Sequence, residues 1–491
     1  MKLSNKTLQQ IGGGIELPTD HYTELPVKVL QFGTGVLLRG LPDYFIDKAN
    51  KKGIFNGRVV VIKSTVANKT DAFAEQDNLY TVWVKGIKDQ HPVDELSVNS
   101  SISNVLAANG QWQNILKEAD NTELKVVISN TTEVGIQLVN EDIHQNPPAS
   151  FPAKLLAVLY RRYQTFNGSS DSGLVIIPTE LLPDNATILK SILLELSRYN
   201  KLETEFERWV NEHNSFCNSL VDRIVPGKPD DAEVQRFEEV NGYTDDLLIV
   251  AEPYTLWAIE GDERVKAILS FAQADEGVVV VPDIEIYREL KLRLLNGTHT
   301  LTCAMAILLN FDYVNQATGN EVFTNFMNNV LADIRFAMPY KTDDATAQAF
   351  SAKVVDRFRN PYIKHLWMNI AQQYTTKIST RVIPVMHQHF KQTQEVPQNI
   401  AKGLAAYLYL MSKIVEQDSK YYLAINGLNH LYSDEKAGVL LSIYNSVPLH
   451  KIAEDVFTSD ELWGGGKPNY PALINEVQKY FDEIIAGKVI I

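Results

Sequence analysis

The chain has 491 residues, of which 45% are hydrophobic and 22% charged, with a formal net charge of −14. That length accommodates two domains, the acidic balance argues against a nucleic-acid binder, which needs a basic surface, and no apolar run approaches the roughly 20 residues that span a bilayer. Only Cys217 and Cys303 occur, which excludes a disulfide framework and a multi-cysteine metal site, and both read as buried thiols.

In chain order, Val27–Phe32 (VKVLQF) is a β-rich run that ends in glycines. Val59–Ile62, Leu124–Ser129, Leu174–Pro178, Leu247–Ala251 and Val278–Val281 are further short apolar runs. Such runs suit strands buried on both faces, as in a parallel sheet. Phe151–Phe166 and Ala186–Arg198 carry helical periodicity, and Tyr80–Lys85 with Ser97–Ile102 reads as a hairpin-like excursion. Strand–helix alternation predicts the α/β class, with an N-terminal Rossmann-like doubly wound sheet. After about Asp283 strand-like runs largely vanish. Arg288–Leu309, Asn320–Phe336, Ala345–Phe358, Tyr362–Tyr374, Ile400–Glu416 and Tyr470–Ile485 read as helices. The expected organisation is a dinucleotide-binding domain over residues 1–283 and a mostly α-helical substrate and catalytic domain over 284–491. Met1–Gln10 is polar and has no secretory core, so the cytoplasm is the expected location.

Gly33, Thr34 and Gly35 follow the first strand, and Val36–Asn50 has a helical pattern. This is the first βα turn of a dinucleotide fold: glycines let the backbone approach a pyrophosphate, which faces a helix N-terminus. The third glycine of GxGxxG is replaced by Leu38, so the motif alone is weak. The second strand ends in Lys63, Ser64 and Thr65 without the acid that would accept a ribose 2′-hydroxyl. Local chemistry therefore leaves NAD and NADP both open.

The segment Lys291–His299 (KLRLLNGTH) groups three polar side chains. On an α-helix Asn296 lies about 140° from Lys291, and His299 about 80° from it, between the two. All three share one side, flanked by Leu294 and Leu295. Desolvation there would lower a lysine pKa toward neutrality, as proton exchange requires. Asn296 could donate to an oxygen whose charge changes, and His299 could orient the lysine or bind a hydroxyl. Geometry alone fits better an amphipathic helix with a solvated lysine and a capping or core histidine.

Five ordered motifs change that balance. Lys291–His299 resembles the KxxxxNxxH signature of the mannitol dehydrogenase family, the polyol-specific long-chain dehydrogenases. Gln31–Arg39 (QFGTGVLLR) is similar to that family's GxGxxxR cofactor turn. Ser129–Gly135 (SNTTEVG), Asn214–Val225 (NSFCNSLVDRIV) and Arg357–His365 (RFRNPYIKH) resemble segments of its sugar-acid branch. The resemblance implies metal-independent oxidation of a secondary alcohol, or reduction of the ketone, with Lys291 as general base or acid, and Asn296 and His299 beside it. Gly33, Thr34, Gly35 and Arg39 would hold the cofactor pyrophosphate. Thr132 and Glu133 are expected at the cofactor site, Glu133 serving a proton pathway or else as an ordinary loop carboxylate. Asp222, with Arg223, would bind substrate hydroxyls. Lys377 and Arg381 could pair with a substrate carboxylate, or simply be solvated. The implied reaction is NAD(H)-dependent reduction of D-tagaturonate to D-altronate, with fructuronate or a neutral polyol as the alternative substrate. The implied partner is a small sugar acid, with no nucleic acid and no membrane, in a monomer or small homo-oligomer.

Departures sit in Ile177–Asn185 (IPTELLPDN), where mannitol-specific members resemble SCDNxxxNG. The Asn of the CDN triplet falls on Leu181, the final Gly on Ala186, and Thr179 replaces the Cys. A mannitol-type oxyanion site at Leu181 is thereby put in doubt. His387 and His389 lack companions at ligand spacing and read as a surface pair rather than a metal site.

Overall fold

The computed structural model describes residues 1–64, 72–131, 134–488 and 491. The chain forms two compact units, one of residues 1–86 and 92–284, the other of residues 87–91 and 285–491.

The first unit is built on a six-stranded sheet of β1 (Val27–Phe32), β2 (Arg58–Lys63), β3 (Ile102–Ala107), β4 (Val126–Ser129), β5 (Val175–Pro178) and β6 (Ser215–Phe216). Its order is β3-β2-β1-β4-β5-β6, with every pairing parallel. This is the Rossmann order, whose ligand crevice lies at the carboxyl ends where the order reverses, between β1 and β4. Successive residues feed two separate cores. Val29, Val59, Val61, Ile128 and Ile177 bury on one face; Leu30, Phe32, Val60, Ile62 and Ile176 bury on the other. The continuous apolar runs follow from that double burial.

Two expected strands join other sheets. Ile249–Ala251 pairs with Val82–Val84 of the hairpin Tyr80–Lys88/His91–Asn99. Val278–Val281 pairs with Leu256–Glu260, which pairs in turn with Ser219–Asp222. The edge strands β3 and β6 take their places in the main sheet. One is interrupted by Ser103 and Asn104 and the other is two residues long, so neither carries the apolar signature of a central strand. The hairpin turns at Asp89 and Gln90, with φ of 52° and 65°.

The second unit is mostly helical. Its central helix, Thr298–Leu308, is buried along nearly its whole length and packs against Gln398–Met411. A Cβ on Gly403 would come within 2.7 Å of the Leu301 carbonyl oxygen, so this crossing needs glycine. Glu321–Phe336, Asp344–Arg359 and Pro471–Ile485 form as expected. The expected helix Tyr362–Tyr374 does not. Pro361 holds Asn360 extended and so ends the preceding helix, Leu366 is extended and bridges Tyr313, and Gln373 has φ 52°. Only Trp367–Ile370 turns helically before Tyr374. The helix expected to reach Glu416 stops at Met411, and an antiparallel meander follows: Ile414–Gln417, Lys420–Ile425 and Leu428–Tyr432. Among the described residues no helix is long and apolar enough to cross a membrane.

Candidate active site

The glycine turn sits at the carboxyl end of β1, beside β4. Gly33 has φ 124°, and a Cβ there would meet the Asn130 carbonyl oxygen and Leu38 Cδ1, each at 2.9 Å. Only glycine fits. Thr34 is half-buried, while Gly35 is exposed and has no heavy atom within 4 Å of its would-be Cβ. An open backbone cradle at this place in the sheet fits a pyrophosphate. The helix behind it is shorter than expected: it breaks at Leu41 into Val36–Gly40 and Pro42–Lys51, with Pro42 in the first turn of the second piece.

Beneath the turn lies a buried polar cluster. Gln31 Nε2 donates to Asp43 Oδ2 at 3.2 Å and to the Gly33 carbonyl at 3.4 Å. Burial pushes the Asp43 carboxyl up to about 7. Arg39, expected at the cofactor pyrophosphate, lies behind the turn. Its guanidinium is buried, stands over the Phe73 and Tyr80 rings, and donates to the Leu247 carbonyl at 2.6 Å. It packs the turn's helix onto the unit's core. Arg223 likewise turns inward: it is buried and donates to the Glu252 and Gly40 carbonyls at 2.9 and 2.6 Å. Asp222 is buried at the end of its strand, opposite Leu256.

Glu180, within the IPTELLPDN segment, has no mark in the sequence that singles it out. It is buried at the end of β5 and accepts from Thr131 N and Oγ1 at 2.9 and 3.0 Å, and from Ser129 Oγ at 3.1 Å. It thus joins the carboxyl ends of β4 and β5. Thr132 and Glu133 lie outside the described residues. Leu181 is 58% exposed and, lacking a polar side chain, offers no hydrogen bond to an oxyanion.

In the second unit the segment around Lys291–His299 is not one regular α-helix. Glu285–Leu290 is α-helical, Lys291–Gly297 is a π-helix, and Thr298–Leu308 is α-helical again. A π turn takes an extra residue, so residue i+5 comes nearer to lying over residue i. Asn296 therefore turns toward Lys291, closer than the α-helical offset of about 140°. Both are half-buried, and His299 is buried. Just beyond, the Tyr374 hydroxyl enters the helical ladder: it donates to the Thr300 carbonyl at 2.7 Å and accepts from Ala304 N at 3.1 Å. A group inserted between residues i and i+4 is a known cause of helix distortion.

His299 stacks on Phe358, with ring centroids 3.9 Å apart, and meets His365 and Trp367 edge-on at 5.2 and 6.0 Å. Burial drives its pKa well below the usual imidazole value, and the charges of His365, Arg357, Arg381 and Lys377 add to this. His299 is accordingly a neutral imidazole near pH 7. His365 is also lowered, by burial and then by Lys377 and Arg357. Lys377 Nζ donates to the Ile370 carbonyl at 2.7 Å, and burial, then Arg381, lowers its pKa. Arg381 Nη1 donates to Thr300 Oγ1 at 3.2 Å and the Asn296 carbonyl at 3.5 Å. Burial brings its guanidinium down to about 10. The second unit thus gathers Lys291, Asn296, His299, Lys377 and Arg381, with His365 and Arg357 added. Both stand in the RFRNPYIKH segment: Arg357 lies in the last turn of Asp344–Arg359, whereas His365 follows Asn360, where the chain leaves the helix and helical periodicity could not place it.

His387 bonds to Tyr470 Oη at 2.7 Å and the Gly466 carbonyl at 3.2 Å, and His389 to the Glu395 carbonyl at 3.1 Å. Among the described residues no three His, Cys, Asp or Glu side chains form a possible metal cluster. Both cysteines are buried, and burial pushes the Cys217 thiol up to about 12.

Residues 27–272 match the family model of the mannitol dehydrogenase Rossmann domain, and residues 283–436 that of the mannitol dehydrogenase C-terminal domain. The chain is 38% identical to an altronate oxidoreductase of Halalkalibacterium halodurans over 90% of its own length and 88% of that protein's. It is 35% identical to an altronate oxidoreductase of Bacillus subtilis, covering 95% and 94% of the two chains. Among solved structures, a substrate-free D-sorbitol dehydrogenase superposes with a TM-score of 0.80 at 18% identity, over 99% of both chains. Pseudomonas fluorescens mannitol 2-dehydrogenase, in ternary complex with NAD and D-mannitol, gives 0.69 at 20% identity over 99% and 97%.

Proposed function

The chain belongs to the mannitol dehydrogenase family, and from that premise we propose that it reduces a hexuronate ketone, D-tagaturonate, to the secondary alcohol D-altronate, reversibly and with NAD(H). The relatives named altronate oxidoreductase supply the substrate. NAD is the cofactor in the mannitol 2-dehydrogenase complex, and the Gly33–Gly35 cradle fits its pyrophosphate. On this reading the first unit holds the cofactor and the second carries the proton chemistry.

NADH supplies the hydride that goes to the ketone carbon. Lys291 gives a proton to the oxygen, so the carbonyl becomes a hydroxyl; in the oxidative direction the same amine takes it back. Asn296 donates a hydrogen bond to that oxygen as negative charge develops on it. His299, neutral and wedged among Phe358, His365 and Trp367, orients Lys291 or bonds a substrate hydroxyl without adding charge. Lys377 and Arg381 receive the carboxylate.

One observation carries the sugar-acid reading. Lys377 and Arg381 are half-buried cations beside the catalytic helix, and their hydrogen bonds go to carbonyls and a hydroxyl. Neither forms an ion pair among the described residues. Partly desolvated positive charge of this kind favours an anion. The chain's net charge of −14 repels anions at long range, so local cations of this sort are what capture requires.

Lys291→Ala tests the reading against that of a non-catalytic dinucleotide-binding protein. Turnover should fall by at least about 1,000-fold, within the range of general acid–base catalysis, while NADH fluorescence enhancement persists. Near-wild-type turnover would overturn the mechanism.

A further inference from the structure

We propose that Arg293, which touches neither substrate nor cofactor, is the positioning residue that holds Asn296 and Arg381 in register. The inference rests on the reading that these two contact the substrate. Arg293 lies inside the π segment and is 7% exposed. One edge of its guanidinium forms a fork with Glu289, Nε and Nη2 each at 3.0 Å from a carboxylate oxygen. Its remaining nitrogen, Nη1, donates to the carbonyls of Thr380 and, at 3.2 Å, Arg381. Those carbonyls belong to a second π segment, Ile378–Val382.

Arg381 answers in the opposite direction, from the second π segment to the Asn296 carbonyl of the first at 3.5 Å and to the Thr300 hydroxyl of the α-helix that follows it. The two distorted turns are therefore clasped by reciprocal arginines, each donating to the backbone of the other. Displacing either turn moves both Asn296, aimed at the reacting oxygen, and Arg381, aimed at the carboxylate. A buried Arg–Glu pair adds little net stability over an apolar pair of equal volume; here it fixes geometry. Only a planar fork with five donors serves Glu289 and two carbonyls together. A lysine has one nitrogen for all of them.

The test is Arg293→Lys in the full chain, with Glu289→Gln as a second variant that keeps the volume of the pair. Expected for Arg293→Lys is a fall of about 100-fold in kcat on tagaturonate, the scale of a 1 Å misplacement. Preference for tagaturonate over fructose should shrink, and the NADH Kd should stay within about twofold. Glu289→Gln should give an intermediate loss in the same direction. Amide hydrogen exchange, which needs no turnover, should speed up in residues 291–300 and 378–382 together while the first unit is unchanged. A merely structural role would lower Tm without changing the substrate preference or loosening the two segments as one. The inference is overturned if Arg293→Lys keeps kcat and substrate preference within about threefold, or if exchange rises only around residue 293. A wild-type enzyme that does not reduce tagaturonate defeats the functional reading instead; the clasp is then decided by exchange alone.

Discussion

Asp43 makes a prediction about pH that follows from the buried cluster beneath the glycine turn. Its carboxyl is wholly buried, and burial raises it from 3.8 to about 7. Among the described residues Asp43 Oδ1 and Gln31 Oε1, both buried acceptors, have no donor. Protonation converts one acceptor of the cluster into a donor. Because the folded pKa is raised, the stability tied to the neutral acid is fully present below about pH 4. It is lost progressively as pH climbs through about 7, and the loss is constant above that. A rise from 3.8 to about 7 corresponds to roughly 4 kcal/mol in all, and roughly 2 kcal/mol of it falls between pH 5 and 7. For a unit of this size that moves Tm by about 5 °C or more. Asp43→Asn keeps the shape and cannot ionise. Thermal unfolding without cofactor, followed from pH 5 to 8, should show the variant gaining on the wild type by about that amount. Parallel pH dependence in the two proteins, or a variant that loses ground toward pH 8, would mean that Asp43 does not titrate with a raised pKa in the folded unit.

Lys377→Met and Arg381→Met should each raise KM for a sugar acid by about 10- to 100-fold, the worth of a hydrogen bond to a charged group. The KM for fructose and the Kd for NADH should move little; an equal loss on fructose would remove the carboxylate assignment. Tyr374→Phe takes away the hydroxyl between the Thr300 carbonyl and Ala304 N. It leaves two buried backbone groups without that bridge, at a cost of about 1–3 kcal/mol. Calorimetry should show Tm lowered by several degrees, and an unchanged Tm would mean that the helix closes its own ladder there.

The sequence made the central strands legible because β1, β2, β4 and β5 bury alternate residues on two faces, leaving continuous apolar runs. Edge strands β3 and β6 escape that rule, and so did their membership of the sheet. Ile249–Ala251 and Val278–Val281 have the same composition as central strands, and nothing local tells which sheet they join. The meander after Met411 had one readable mark, Asn426 and Gly427 with φ of 52° and 76°, the favoured pair for a tight hairpin. The motif Lys291–His299 was legible as a group, but its π form was not. Arg293, inside that segment, bonds the Thr380 carbonyl 87 residues away in the sequence, and no periodicity carries such a contact. The inward turn of Arg39 and Arg223 was invisible for a related reason. A guanidinium can serve a phosphate or a backbone carbonyl equally well, and only the fold decides which is within reach.

Comparing kcat/KM for tagaturonate, fructuronate and fructose with NADH under one set of conditions, and repeating the panel with NADPH, tests the hexuronate assignment. The expected result is clear preference for tagaturonate with NADH, and weak activity on the neutral ketose, which gives Lys377 and Arg381 no anion to hold. A clear preference for fructose would contradict it.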